Sequence, residues 1–184
     1  MVLTTARLKI RDLEEGDFRA LREQDADPAV QQYRGARTIT EEQTRCNIHR
    51  CIAAAQEQPR RRYVCAVTRH TDEQLVGLAF LMGVDLEGRE AEVGYSMTRR
   101  FWGQGYATET AMTLLAFSFE TLGLHRVWAK CILENTQSWH VLEKIGMRRE
   151  GHLRECEWVA GRWQDHFLYG ILDHEWATKG QFKH

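Results

Sequence analysis

Three apolar runs separated by polar turns occupy the middle of the chain: "RYVCAVT" from Arg62, "QLVGLAFLMGVD" from Gln74 and "EAEVGYSM" from Glu90. Runs of this length and residue type predict strands, the last two joined through "LEGRE". The period then changes. Ala107, Ala111, Leu114 and Phe117 recur at helical spacing and predict a helix over about 105–122, ended by Gly123. "HRVWAKCI" reads as a buried strand, and 136–145 as a helix closed by Gly146. Two final strands, about 147–158 and 163–171, join across Ala160-Gly161. In the second, Trp163, Asp165, Phe167, Tyr169 and Ile171 alternate onto one face, with Asp165 and Tyr169 expected to support the sheet. Toward the N-terminus, 7–11 reads as a strand, 17–25 as a short helix after "EEGD", and 41–56 as a helix. Thr40 is its expected N-cap, with Glu41, Glu42 and Gln43 in the first turn. The order strands, helix, strand, helix, strands predicts a mixed α/β sheet of the α+β kind.

The chain has 184 residues, 43% of them hydrophobic, and only two prolines. Without repeats, low-complexity tracts or linkers, it is expected to form one domain over 1–184, with a core of about 6–176. A net charge of -1 argues against a nucleic-acid partner, which a clear basic excess would favour. No apolar run approaches membrane-spanning length, and "MVLTTARLKIRDL" is not a signal peptide, so a cytoplasmic protein without membrane association is expected. The five cysteines form no C-x-x-C pair and the eight histidines no ligand spacing. Reduced, mostly buried thiols and no metal are expected.

The segment "RRFWGQGYATETAMTLLAF" (99–117) places Gly103 and Gly105 at the entrance to an amphipathic helix. The free N–H groups of a first helical turn favour an anion, and glycines permit close approach and positive φ. Arg99 and Arg100 add charge beside the turn. No Lys-Ser/Thr follows, as a P-loop requires, and the third glycine of a dinucleotide fingerprint is absent. Taken alone, G-x-G here is either an anion cradle or a structural turn.

The combination is more specific. R-x-x-G-x-G at Arg100–Gly105 is preceded by "EVGYSM" and followed by "ENTQSWHVLEKIGMRREG" and a terminal G-x-x-x-D strand. Together these resemble the GNAT N-acetyltransferase superfamily, most closely its RimJ/RimL-type branch of ribosomal-protein N-terminal acetyltransferases. The resemblance spans most of the chain, from "ARLKIRDLEEGD" to "GRWQDHFLYGILDHEW". It implies a mostly antiparallel sheet of about six to seven strands, flanked by helices and splayed between the fourth and fifth (92–98 and 126–132). Acetyl-CoA would lie in that gap as co-substrate, its pyrophosphate held by the glycine loop. Implied cofactor contacts are Met97, Arg99, Arg100, Gly103, Gln104, Gly105, Tyr106, Ala107, Asn135 and Ser138. The implied partner is an amine acceptor, a protein N-terminus or a small amine such as a polyamine, and homodimerisation is left open.

Direct acetyl transfer needs a proton acceptor for the amine, donors for the oxyanion and an acid for the departing thiolate. The resemblance places Ser138 near the thioester sulfur. Many GNAT enzymes carry a Tyr just before the E-K pair as thiolate acid; Leu142 stands there, which moves the expected acid to Ser138. Asn135 and Ser138 also suit plain helix capping. Glu157 in "RECEWVAGRW" matches the proposed general base of RimL-type enzymes, and Glu92 lies near where other branches place a water-mediated base. Either carboxylate also fits a solvated strand face.

Trp102, Trp139, Trp158 and Trp163 are expected to pack rather than to line an acceptor pocket. Segments 25–45 and 83–90 are expected to shape acceptor specificity, with Arg34 and Arg37 either meeting an acidic acceptor group or simply solvated. A CoA-binding sensor of the same fold without turnover is the alternative class.

Overall fold

The computed structural model describes residues 1–34, 39–159 and 161–180. Eight strands form one sheet: β1 (Val2–Thr4), β2 (Leu8–Asp12), β3 (Tyr63–Arg69), β4 (Leu75–Asp85), β5 (Glu90–Met97), β6 (Arg126–Ile132), β7 (Arg148–Val159) and β8 (Arg162–Leu172). Their order is β1-β2-β3-β4-β5-β6-β8-β7. Every neighbour pair is antiparallel except β5–β6. A helix, α4 (Tyr106–Ala116), provides the crossover that this parallel pair requires.

The parallel pair is short. Only Glu90↔Arg126, Ala91↔Val127 and Glu92↔Trp128 align, after which β5 and β6 part. The expected splay is therefore present between the expected segments. It falls between the fifth and sixth strands because an eighth strand, β1, pairs with β2 at the sheet edge. Three residues are too few to show alternation, so "VLT" carries no periodic pattern.

Helices cover both faces. α4 and α5 (Thr136–Lys144) bury Leu114, Leu115 and Leu142 against Val93, Val127 and Tyr169 on one face. α1 (Phe18–Ala26) and α3 (Glu41–Ala54) bury Leu21, Ile48 and Cys51 against Val64, Ala66 and Leu78 on the other. Thr40 caps α3 through a reciprocal box with Gln43, whose side chain accepts from the Thr40 N–H at 2.8 Å. α4 runs into a π turn over Phe117–Thr121 before Gly123, at φ +64°, turns the chain away. Gly146, at φ +89°, closes α5. Two short helices escaped the periodic pattern, α2 (Pro28–Gln31) and α6 (Asp173–Gly180).

The cysteines follow the burial expectation in part: Cys51, Cys65 and Cys131 are buried, Cys46 and Cys156 exposed, and all are free. Burial pushes the Cys65 thiol up to about 12. Trp158 and Trp163 depart from packing in the core: they are 58% and 55% exposed and touch edge to face at the β7–β8 end. No helix among the described residues is long and apolar enough to cross a membrane.

Candidate active site

Where β5 and β6 part, a cleft of about 760 Å³ opens, walled by β5, the glycine turn, the starts of α4 and α5, and the β6–β8–β7 layer. Beyond Glu92, the β5 edge facing β6 has no strand partner. Apart from the Ser96 and Met97 carbonyls, which accept from the Gln24 and Trp102 side chains, its backbone groups are thus available to an amide-bearing chain laid alongside.

The glycine turn forms the mouth. Gly103 and Gly105 sit at φ +73° and +79°, a region other residues adopt only with strain. Gly105 is the N-cap of α4 and supplies no side-chain cap. The first-turn N–H groups therefore stay open toward the cleft, which Gly103, Gly105, Tyr106, Ala107 and Thr108 line. A Cβ on Gly103 would meet nothing within 4 Å, so packing does not demand glycine there. The turn is braced from outside: Arg7 donates to the Gln104 carbonyl at 3.0 Å and pairs with Glu109 at 2.6 Å. Trp102 Nε1 donates to the Met97 carbonyl at 2.7 Å.

Across the cleft, Asn135 caps α5, its Oδ1 accepting from the Ser138 N–H at 3.2 Å. Ser138 is not the cap, so its hydroxyl is free for other work. Tyr95 on β5 reaches it, donating to the Ser138 carbonyl at 2.9 Å with its oxygen 3.2 Å from Ser138 Oγ. Burial pushes the Tyr95 phenol above its usual range, so it stays protonated. Leu142 is buried in the core and offers no proton.

Glu92 and Glu157 line the same cleft from β5 and β7, with Lys130 between their strands on β6. Burial holds the Glu92 carboxyl above the usual range; Lys130 opposes this and the charge of Glu157 adds to it. The two carboxylates thus feel one another. His166 on β8 completes this corner, its Nε2 3.4 Å from Glu157 Oε2.

Residues 7–148 match the acetyltransferase (GNAT) domain family. The chain belongs to the GNAT acetyltransferases. This acetyltransferase is 32% identical over 177 residues to an uncharacterised N-acetyltransferase, YnaD, of Bacillus subtilis, covering 96% of this chain and 99% of that one. Its fold matches the crystal structure of a GNAT-family acetyltransferase from Bacillus anthracis at TM-score 0.84 and 32% identity, covering 95% and 100% of the two chains. It also matches spermidine N-acetyltransferase from Vibrio cholerae, solved with CoA and spermine, at TM-score 0.82 and 24% identity, over 94% and 99%. Ribosomal-protein N-acetyltransferases align with only part of the chain. The protein is thus an acetyl-CoA-dependent N-acetyltransferase acting on amines.

Of the acetyltransferase residues singled out from sequence, Met97, Gly103, Gly105, Tyr106, Ala107, Asn135, Ser138, Glu92 and Glu157 line the cleft together. Arg99, Arg100 and Gln104 are exposed and lie outside that lining. Arg100 pairs with Glu23 of α1 at 3.2 Å, and Gln104 bonds the Arg100 carbonyl. Arg34 lines the cleft but is committed to Asp25 at 3.0 Å, while Arg37 lies outside the described residues. Segment 83–90 lines neither this cleft nor the smaller cavity of about 430 Å³ beside α1 and α3.

Sequence reasoning missed Tyr95, Lys130, Gln164 and His166. Gln164 and His166 are buried on the β8 face opposite Tyr169 and Ile171. Interleaved polar positions in a strand ordinarily mean a solvated face, and here they mean a cleft wall.

Proposed function

We propose that this acetyltransferase is of the RimJ/RimL type and transfers acetyl directly to a primary amine, a protein N-terminal α-amine or a small-molecule amine. Glu157 serves as proton acceptor, with Glu92 as the competing candidate, and Ser138 as proton donor to the thiolate. The observation that carries the reading is the convergence of Glu92, Glu157 and Ser138 on one cleft, opened where β5 leaves β6.

The residues present suit acetyl-CoA, which supplies the acetyl group as an activated thioester. The open N–H groups at the start of α4 suit a pyrophosphate, and the unpaired β5 edge suits an amide-bearing arm. Alkylamines have pKa values of about 10 and α-amines of about 8, so an acceptor arriving as ammonium must lose a proton before attack. A carboxylate lining the cleft accepts it. The Ser138 hydroxyl, tied to Tyr95, relays a proton to the departing thiolate. Proximity supplies much of the rest.

A panel of polyamines, amino acids, aminoglycosides and N-terminal peptides, incubated with enzyme and acetyl-CoA, tests this by mass spectrometry. One class is expected to gain an acetyl group on its primary amine. CoA release with no acetylated amine across the panel contradicts the proposal.

A further inference from the structure

Folded proteins leave few buried polar side chains without partners, because each unpaired group loses its hydration for nothing in return. His166 is 6% exposed, yet neither ring nitrogen makes a hydrogen bond. Its Nε2 lies 3.4 Å from Glu157 Oε2, within reach but short of hydrogen-bond geometry. Gln164, directly across from Glu157, is 4% exposed and leaves its Oε1 unpartnered as well.

The chain goes to some length to bring Glu157 there. Leu153 faces His166 and Glu157 faces Gln164, so four steps along β7 answer two along β8. Without the extra two residues, Glu157 would face Arg162, four positions from His166 along β8 instead of the two that separate Gln164 from it. Because the shift is even, it moves the carboxylate along the strand without turning it to the other face. The bulge needs Glu155 at φ +47°, an uncommon conformation for a residue other than glycine. Asp165 pins it: Oδ1 accepts from the Glu155 N–H at 2.8 Å, and Oδ2 contacts His152 Nε2 at 2.6 Å.

We propose that His166 is a positioning residue for acetyl transfer, its Nε2–H holding the Glu157 carboxylate over the acceptor amine in a register fixed by the Asp165-anchored bulge. This rests on Glu157 as the proton acceptor. In the step it serves, an amine proton passes to Glu157 as the N–C bond forms. The C–S bond then breaks and the departing sulfur takes a proton relayed through the Ser138 hydroxyl, which is refilled from water, while Glu157 returns its proton to water and His166 keeps its own. The apo contact tightens once the acceptor fills the cleft, as catalytic hydrogen bonds commonly do.

The charges facing the ring are Glu157 from β7, Lys130 from β6, Glu134 from the following turn and Asp165 from its own strand. α5 adds His140 and Lys144 to the same cleft wall. Burial holds the imidazole below its ordinary range; Glu157 pulls upward and Lys130 pushes down. A neutral ring near pH 7 has one N–H to give.

The test combines His166→Phe, which removes the donor, with His166→Gln, which restores one, and reads kcat against pH at saturating acetyl-CoA. His166→Phe is expected to lower kcat about 10-fold, move its acidic limb to higher pH and leave the KM for acetyl-CoA unchanged. His166→Gln recovers most of both. NMR titration of the His166 ring supplies a readout without turnover: Glu157→Gln should lower its midpoint. An unmoved midpoint, or His166→Phe with the parental pH profile, overturns the proposal. Unchanged kcat in Glu157→Gln overturns the base reading, and the catalytic use of His166 with it. An inactive Glu157→Gln beside an unmoved His166 midpoint overturns the role of His166 alone. Should His166→Phe not fold, the titration and His166→Gln still decide.

Discussion

The Tyr95 hydroxyl on β5 donates to the Ser138 carbonyl at 2.9 Å and lies 3.2 Å from Ser138 Oγ on α5. This bridge crosses the gap between the splayed strands and fixes the serine hydroxyl within it. Tyr95 pairs with Ala79 on β4, so its backbone is anchored in the sheet while its side chain reaches the helix.

The bridge makes two separable predictions. Ser138→Ala lowers kcat roughly 10-fold to 100-fold with little change in acetyl-CoA affinity, because proton delivery to the thiolate helps only the transition state. Tyr95→Phe gives a smaller loss in the same direction. Neither removes the cap of α5. Asn135→Ala does, and is expected to cost about 1 kcal/mol of stability, a fall of about 2–4 °C in Tm. Kinetics and melting on the same preparations separate the roles; a destabilised Ser138→Ala with full specific activity contradicts the assignment.

The glycine turn carries a prediction about binding. Gly105→Val places a β-branched side chain at φ +79°, with its Cβ 3.4 Å from Arg7 Nη2 at the cleft mouth. Acetyl-CoA affinity should fall at least about 10-fold, measured by calorimetry, since one such loss corresponds to about 1.4 kcal/mol. Gly123→Ala is the control. Gly123 has a similar φ of +64°, a Cβ there meets nothing within 4 Å, and it is not among the cleft-lining residues. Equal losses of affinity in both variants would trace the effect to backbone strain rather than to the anion site.

Much of this was legible in the sequence where local rules apply. The strand Glu90–Met97 matches its predicted segment because apolar alternation and the "LEGRE" turn fix both its ends. Gly123 and Gly146 end their helices because glycine alone enters the left-handed region without strain. The site was legible where a glycine turn or a polar cap marked it, and at Glu92 and Glu157 through the family resemblance. The β7 bulge was silent because its left-handed residue is Glu155, not glycine. Tyr95 sits in a quoted segment, but its role arises from the parting of β5 and β6, a property of register rather than pattern. Arg100 looked like phosphate-binding charge beside the turn, yet folding brings Glu23 to it from 77 residues away.

Glu92 links stability to activity. A carboxyl whose pKa is raised on folding binds its proton more tightly in the native state, so its ionisation opposes folding once the pH exceeds its unfolded value of about 4.3. Glu92→Gln should therefore raise Tm near pH 7.5, by about 1–3 °C, with the gain shrinking as the pH falls toward 4. Thermal melts across that range check it, and a stability difference that grows on acidification contradicts the sign.

The central claim is that the acetyltransferase removes the amine proton with Glu157. The most direct measurement is kcat of Glu157→Gln and of Glu92→Gln at saturating acetyl-CoA, with the best acceptor from the amine panel. A general base is typically worth about 10²–10⁴-fold, so Glu157→Gln should lose that much while its acetyl-CoA Kd stays within about twofold of the parent. Glu92→Gln should lose less. Parental turnover in Glu157→Gln beside a collapse in Glu92→Gln would contradict the claim and move the base to β5.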